Sequence, residues 1–287
     1  MRIRVLLLFM TAVACGTDFE RSAALVTLPR LLAVRAEPPE AAPGAEVTYS
    51  ALLATPVGED DALIDWSFCA TPPARPEPGA VSSACLQGET ENVASGTSVS
   101  MATPDDACRR FGPLAMPLVN TTQVGQPVSP DETGGSYQPV RLAWPGGLAF
   151  AFQRLTCDPR GISMDGASAY RAARQPNRNP RIAAFTTSPE SGSDLDLTVT
   201  WSSEDVETYV TIDPATSTLV TKRERLWVAW FVTGGLLDQD ATPATSTALA
   251  ASTRWHGPSA PGIYFVWAIL HDDRGGLDFA RLAFTAQ

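Results

Sequence analysis

The last 28 residues, Ala260 to Gln287, read APGIYFVWAILHDDRGGLDFARLAFTAQ. An apolar run from Ile263 to Leu270 meets Asp273-Arg274-Gly275-Gly276, and a second run from Leu277 to Thr285 sets Ala280, Leu282 and Phe284 at every other position. Two runs of strand length flanking a Gly-containing turn, one of them with a period of two, predict a β-hairpin.

The same grammar recurs upstream. In AEVTYSALLA, Val47, Tyr49, Ala51 and Leu53 share one face and Thr48 and Ser50 the other; in LDLTVTW, Leu195, Leu197, Val199 and Trp201 alternate with polar residues. In YQPVRLAWPGGLAFAFQRLTC, a strand through Val140, Leu142 and Trp144 turns at Pro145-Gly146-Gly147 and returns through Leu148, Phe150 and Phe152. The 24 Pro and 21 Gly fall between such runs as punctuation, so the expected class is all-β. Ser163 to Arg174, rich in Ala and Arg, predicts one short helix that QPNRNP ends, because proline cannot continue it.

A weak repeat points to two copies of one architecture. RLLAVRAEPPE (Arg30 to Glu40) and RIAAFTTSPE (Arg181 to Glu190) share their order of Arg, apolar residue, Ala and Pro-Glu, and each precedes an alternating strand and then a strand with a core Trp, Trp66 or Trp230. Pro261-Gly262-x-Tyr264 resembles the start of the penultimate strand in immunoglobulin-like and PKD-like domains, with Tyr264 at the tyrosine corner. Val266 stands where antibody domains carry Cys, so the resemblance implies a variant without that disulfide. It implies two immunoglobulin-like β-sandwiches in tandem, 29–157 and 181–287, joined by a connector over 158–180.

Cys69, Cys85, Cys108 and Cys157 are an even set whose spacings contain no C-x-x-C pair, which argues for disulfides over metal or redox chemistry. Sequence alone leaves three pairings open. The shortest neighbour closure, Cys69 to Cys85, leaves Cys108 to Cys157, and these two bridges are expected to staple the long loops Thr71 to Ala84 and Pro104 to Gln138.

The fifth cysteine follows Arg2, Arg4 and an apolar run, Val5 to Ala14, too short to span a bilayer. Ala12-Val13-Ala14-Cys15 resembles the bacterial lipobox, which implies a signal peptide over 1–14, acylation of Cys15 with palmitate-type chains, and a spacer over 15–28. The alternative is ordinary signal cleavage that leaves Cys15 a free thiol. A formal charge of −10 with no basic run disfavours nucleic acid as a partner.

Catalytic patterns are missing around the two histidines, His256 and His271: neither lies beside a G-x-S-x-G elbow or a second ligand at metal spacing. Asp272, Asp273 and Asp278, or Asp238 and Asp240, could hold a hard cation, but Asp-rich turns serve the backbone equally well, so no metal or cofactor is expected. DETGGSYQPV offers a possible binding loop through Asp131, Gly134, Gly135 and Tyr137, or a plain turn into the Val140 strand.

Cys15, Pro39-Glu40, DDACRRFGP (Asp105 to Pro113), TGGSYQPV and HDDRGG together resemble a class of lipoproteins from myxobacteria and related bacteria. That resemblance implies a lipid-anchored envelope location and no particular reaction, and Gly16, where inner-membrane lipoproteins of enteric bacteria often carry Asp, points to the outer membrane. The expectation is a non-catalytic lipoprotein that binds or positions an envelope protein, with a surface adhesive or glycan-binding module as the alternative.

Overall fold

The computed structural model describes residues 23–74, 79–113, 132–159, 162–189, 194–213, 216, 218–245 and 247–286. Cys15 and Asp131 lie outside them. Strands dominate, as the alternating runs require.

The first half runs β1 (Arg30–Glu37), β2 (Glu40–Ala41), β3 (Glu46–Thr55), β4 (Gly58–Glu59), β5 (Ile64–Cys69), α1 (Ser83–Leu86), β6 (Thr90–Gly96), β7 (Ser98–Ala102), α2 (Ala107–Phe111), β8 (Ser136–Trp144) and β9 (Gly147–Leu155). One sheet sets β1 on one edge of β3, with β7 and β4 on the other; the second runs β2-β9-β8-β5-β6. Between them Val47, Tyr49, Trp66, Phe68, Val140 and Leu142 form a buried core. On β9 the large side chains Leu148 and Phe152 face solvent, and the small Ala151 packs on that core, which leaves room for the Tyr49 and Trp66 rings.

The second half runs α3 (Met164–Ala173), β10 (Ala184–Pro189), β11 (Asp194–Thr200), β12 (Thr208–Asp213), β13 (Thr218–Arg223), β14 (Leu226–Val232), β15 (Leu236–Leu237), β16 (Ala241–Pro243), β17 (Ala250–His256), β18 (Gly262–Asp272) and β19 (Leu277–Ala286). Its sheets are β10-β11-β17-β15 and β16-β14-β18-β19, with β12-β13 as a separate ribbon. The order β1-β3-β7 thus recurs as β10-β11-β17, and β9-β8-β5-β6 as β19-β18-β14-β16. Leu197, Val199, Trp201, Val228, Trp230, Val266 and Leu270 fill the space between the two larger sheets.

The terminal hairpin has the expected register, with Ile263 opposite Thr285 and His271 opposite Leu277. The Tyr264 hydroxyl donates to the Ala260 carbonyl at 3.0 Å, the backward bond expected of a tyrosine corner. Ser163 caps α3 by accepting from the Gly166 amide at 3.0 Å, and the helix ends before Gln175-Pro176 as predicted.

The disulfides are Cys69–Cys85 and Cys108–Cys157. Cys85 and Cys108 sit in α1 and α2, short helices inside segments that read as bare loops. Ser82 caps α1 by accepting from the Cys85 amide, so the bridge and the helical turn hold the same few residues.

A third core joins the halves. Leu52 and Ala54, on the face of β3 opposite Tyr49, pack with Val26, Ala33, Ala229, Trp267, Ile269 and Leu277. A β-bulge between Leu31 and Ala33 puts both Leu32 and Ala33 on this side, while Leu31 and Val34 stay with the first core. Glu59 adds an ion pair to Arg281 at 3.3 Å. Leu25 bridges Val232 in parallel, and the Val26 amide donates to the Val232 carbonyl at 2.8 Å. Part of the segment expected to act as a spacer is therefore built into the sheet of the second half.

Candidate functional site

The densest chemistry lies where the connector after α3 threads between the halves. Arg274, in the β18–β19 turn, is 2% exposed. Its Nε pairs with Glu224, which is fully buried, and its Nη2 pairs with Glu207 at 2.7 Å. The guanidinium stacks 4.7 Å from the Tyr209 ring centroid on β12. Asp272 accepts from the amides of Arg274 and Gly276, each at 2.8 Å, and from Asn177 Nδ2 at 3.1 Å. Burial and the neighbouring Asp272 charge push the Glu224 carboxyl up to about 7 against the pull of Arg274; burial also raises Asp272.

Asn177 links this cluster to the first half, because its backbone N–H donates to Glu40 Oε2 at 2.9 Å. Glu40 also pairs with Arg174 and, at 3.5 Å, with Arg154. Asn179 does the same on the other side of the connector: Nδ2 donates to the Ala36 carbonyl at 2.7 Å and Oδ1 accepts from the Leu277 amide at 2.9 Å. Two asparagines therefore staple both halves to one connector.

Gly134, Gly135 and Tyr137 of the candidate binding loop sit beside the same junction. The Tyr137 hydroxyl accepts from Arg154 Nη1 at 2.7 Å, and Arg154 also donates to Thr133 Oγ1 at 2.7 Å. Gly134 has φ +74°, and a Cβ there would lie 2.6 Å from Thr211 Oγ1, so both conformation and space require glycine. Pro39-Glu40, TGGSYQPV and HDDRGG thus meet at one place, and DDACRRFGP holds Cys108 of the nearby staple.

The acidic candidates have other partners. Asp278 accepts from the Ile182 amide at 2.9 Å, Asp273 pairs with Arg225 at 3.4 Å, and Asp272 serves the turn as described. Asp238 and Asp194 flank His256, at 2.8 Å from Nε2 and 3.0 Å from Nδ1, and both bonds raise its pKa. Among the described residues no three His, Cys, Asp or Glu side chains gather to hold a metal. Trp66, Trp230 and Trp267 are fully buried, and Trp255, 3% exposed, donates to the Gly234 carbonyl.

Sequence reading missed Arg154, Arg174, Asn177, Glu207, Glu224 and Arg274 as a set. The available signal was Arg154 at the end of an otherwise apolar strand pattern, and Pro-Glu repeated at the head of each half.

No protein-family model matches the chain, and no curated protein does. Among solved structures, it is similar to a Parabacteroides merdae β-glucuronidase at 10% identity and TM-score 0.23, over 90% of this chain and 24% of that one. It is also similar to a chimeric titin Z1Z2 tandem at 11% identity and TM-score 0.26, over 90% of this chain and 99% of that one. An Escherichia coli alpha-2-macroglobulin is aligned at 10% identity and TM-score 0.22, over 91% of this chain and 22% of that one. The chain spans about a quarter of the length of the glucuronidase, and overlaps this loose carry no functional argument.

Proposed function

We propose that the chain is a non-catalytic lipoprotein of the cell envelope, tethered through Cys15 at the outer membrane, whose two halves are tandem immunoglobulin-like sandwiches that position a protein partner. The observation that carries this reading is the third core, in which Leu52, Ala54, Trp267 and Ile269 fasten the two sheet pairs face to face. Such packing makes a stiff body in place of two beads on a string, and stiffness suits a part that holds something at a set distance. The immunoglobulin-like assignment is supported by the repeated strand order and by the Tyr264 corner. The connector is bonded to both halves through Asn177 and Asn179, which suits a structural joint.

The test is extraction of the native chain in mild detergent, followed by identification of what co-purifies, with Cys15→Ser alongside. Acylated Cys15 at the mature N-terminus, membrane retention lost in Cys15→Ser, and a stoichiometric envelope protein in the eluate are expected. A soluble fragment that binds isolated glycans with no protein partner would favour the adhesive reading. Unchanged membrane retention of Cys15→Ser would remove the tether.

A further inference from the structure

On its second-half side the connector joint gathers more carboxylates than guanidiniums. Glu207 and Glu224 share the single guanidinium of Arg274, and Asp272 lies beside them, bonded to the Arg274 backbone amide. Glu224 is fully buried, Arg274 is 2% exposed and the Glu207 side chain 8% exposed, so water screens these charges poorly. The other cation in reach, Arg178, pairs with Glu207 from the rim, where its side chain is 72% exposed. On the first-half side two guanidiniums, Arg154 and Arg174, hold the one carboxylate of Glu40, and Arg154 also donates to Thr133 and Tyr137. Asp205 lies beyond Arg178, and Asp273 faces Arg225 at the next turn position. The rings of Tyr170 and Tyr209 lie against Arg174 and Arg274 and add no charge.

We propose that this joint is a proton-dependent latch: with one proton shared among Glu207, Glu224 and Asp272 the connector is clamped between the halves, and with all three ionised it loosens. Like charges that share a site with too little counter-charge raise the affinity for a proton, and the cheapest relief after its loss is to let water in. Glu224 is the seat of that proton by geometry. Asp272 has three N–H donors that favour its charged form, and Glu207 has Arg178 as well as Arg274. Among the described residues Glu224 has only Arg274 and the Glu207 amide, at 2.9 Å, in the most buried position of the three. Burial and the Asp272 charge push its carboxyl up to about 7, so the change falls near neutral pH. The parts that would move are those the carboxylates hold: the Asn177 amide on Glu40, Asn177 Nδ2 on Asp272, and the Arg178 amide on Glu207, at 3.1 Å.

The sign follows from the direction of the shift. A carboxyl raised in the folded state leaves the native form holding more protons than the unfolded one, so stability at the joint is lost as pH rises through about 7. Protection of the Asn177 and Arg178 amides against hydrogen exchange, corrected for the chemical rate, should drop about tenfold between about pH 6 and about pH 8.5. Amides in β14 and β18 should keep theirs. Glu224→Gln, neutral at every pH, should remove the dependence, and Glu204→Gln, exposed and outside the joint, should retain it. Wild-type protection that ignores pH, or a Glu224→Gln chain that keeps the wild-type slope, overturns the latch. A carboxyl-carbon NMR titration of the wild-type chain reads the same point without a variant. One Glu titrating near neutrality is expected, and every Glu titrating below about pH 5 would overturn the proposal even if Glu224→Gln fails to fold.

Discussion

Trp227 and His271 stack ring on ring across β14 and β18, with centroids 4.0 Å apart and planes 9° from parallel. Burial lowers the imidazole to about 4, so it stays neutral at physiological pH. In the unfolded chain it titrates near 6.5, and between these values the unfolded state binds more protons. Stability from this site is therefore lost as pH falls from about 6.5 to about 4, on the order of 3 kcal/mol at most. Glu224 has the opposite sign over much of that range, so the test is a difference. The denaturant midpoint of His271→Phe, which keeps the stack, should fall less than that of wild type between about pH 7 and about pH 4.5. Parallel pH curves would refute this account.

Trp267 separates a fused pair of halves from an independent pair. It lies on the face of β18 that points away from the core of its own half, yet it is fully buried. Trp267→Ala should cost about 3–5 kcal/mol in equilibrium unfolding. If the halves folded apart, the same side chain would sit at a surface and its loss would cost under about 0.5 kcal/mol.

Both disulfides lie in the first half. The bridges span 16 and 49 residues, so in the chain-entropy model each constrains the unfolded state by about 3–4 kcal/mol. Reduction should expose amides of β5, β8 and β9 to exchange before those of β14 and β18. Simultaneous loss in both sets would mean that the third core couples the halves too tightly for separate opening.

Gly275 and Gly276 should respond differently to alanine. A Cβ on Gly276 would lie 2.2 Å from Asp272 Oδ2 and 3.1 Å from the Arg178 carbonyl, so the carboxylate must leave three donors behind. The expected cost is about 1–3 kcal/mol. Gly275 has φ +95° and only Tyr137 nearby at 3.7 Å, so its substitution meets backbone strain alone, about 1–2 kcal/mol. Thermal melts of the two single variants rank them, and a milder Gly276→Ala would argue that Asp272 is not needed at the joint.

Local pattern was enough for the all-β class, the terminal hairpin and the helix after Ser163, because the period of a strand and the chemistry of a turn act over a few residues. Loop closure also pointed to the right cysteine pairs, since the shortest closure is the one realised. What local pattern could not supply was the second face of a strand. Val47 and Tyr49 announce one buried side of β3, but Leu52 and Ala54 are covered only because β14 and β18 arrive from the other half of the chain. The consecutive apolar run Ala51 to Ala54, which breaks the alternation, was the one local trace of it.

The joint was still less legible. Glu40, Asn177, Glu224 and Arg274 each look like a turn or surface residue in their own stretch of chain. Their charges become one network only when burial removes the water that would otherwise screen them, and that removal is a property of the packed halves together.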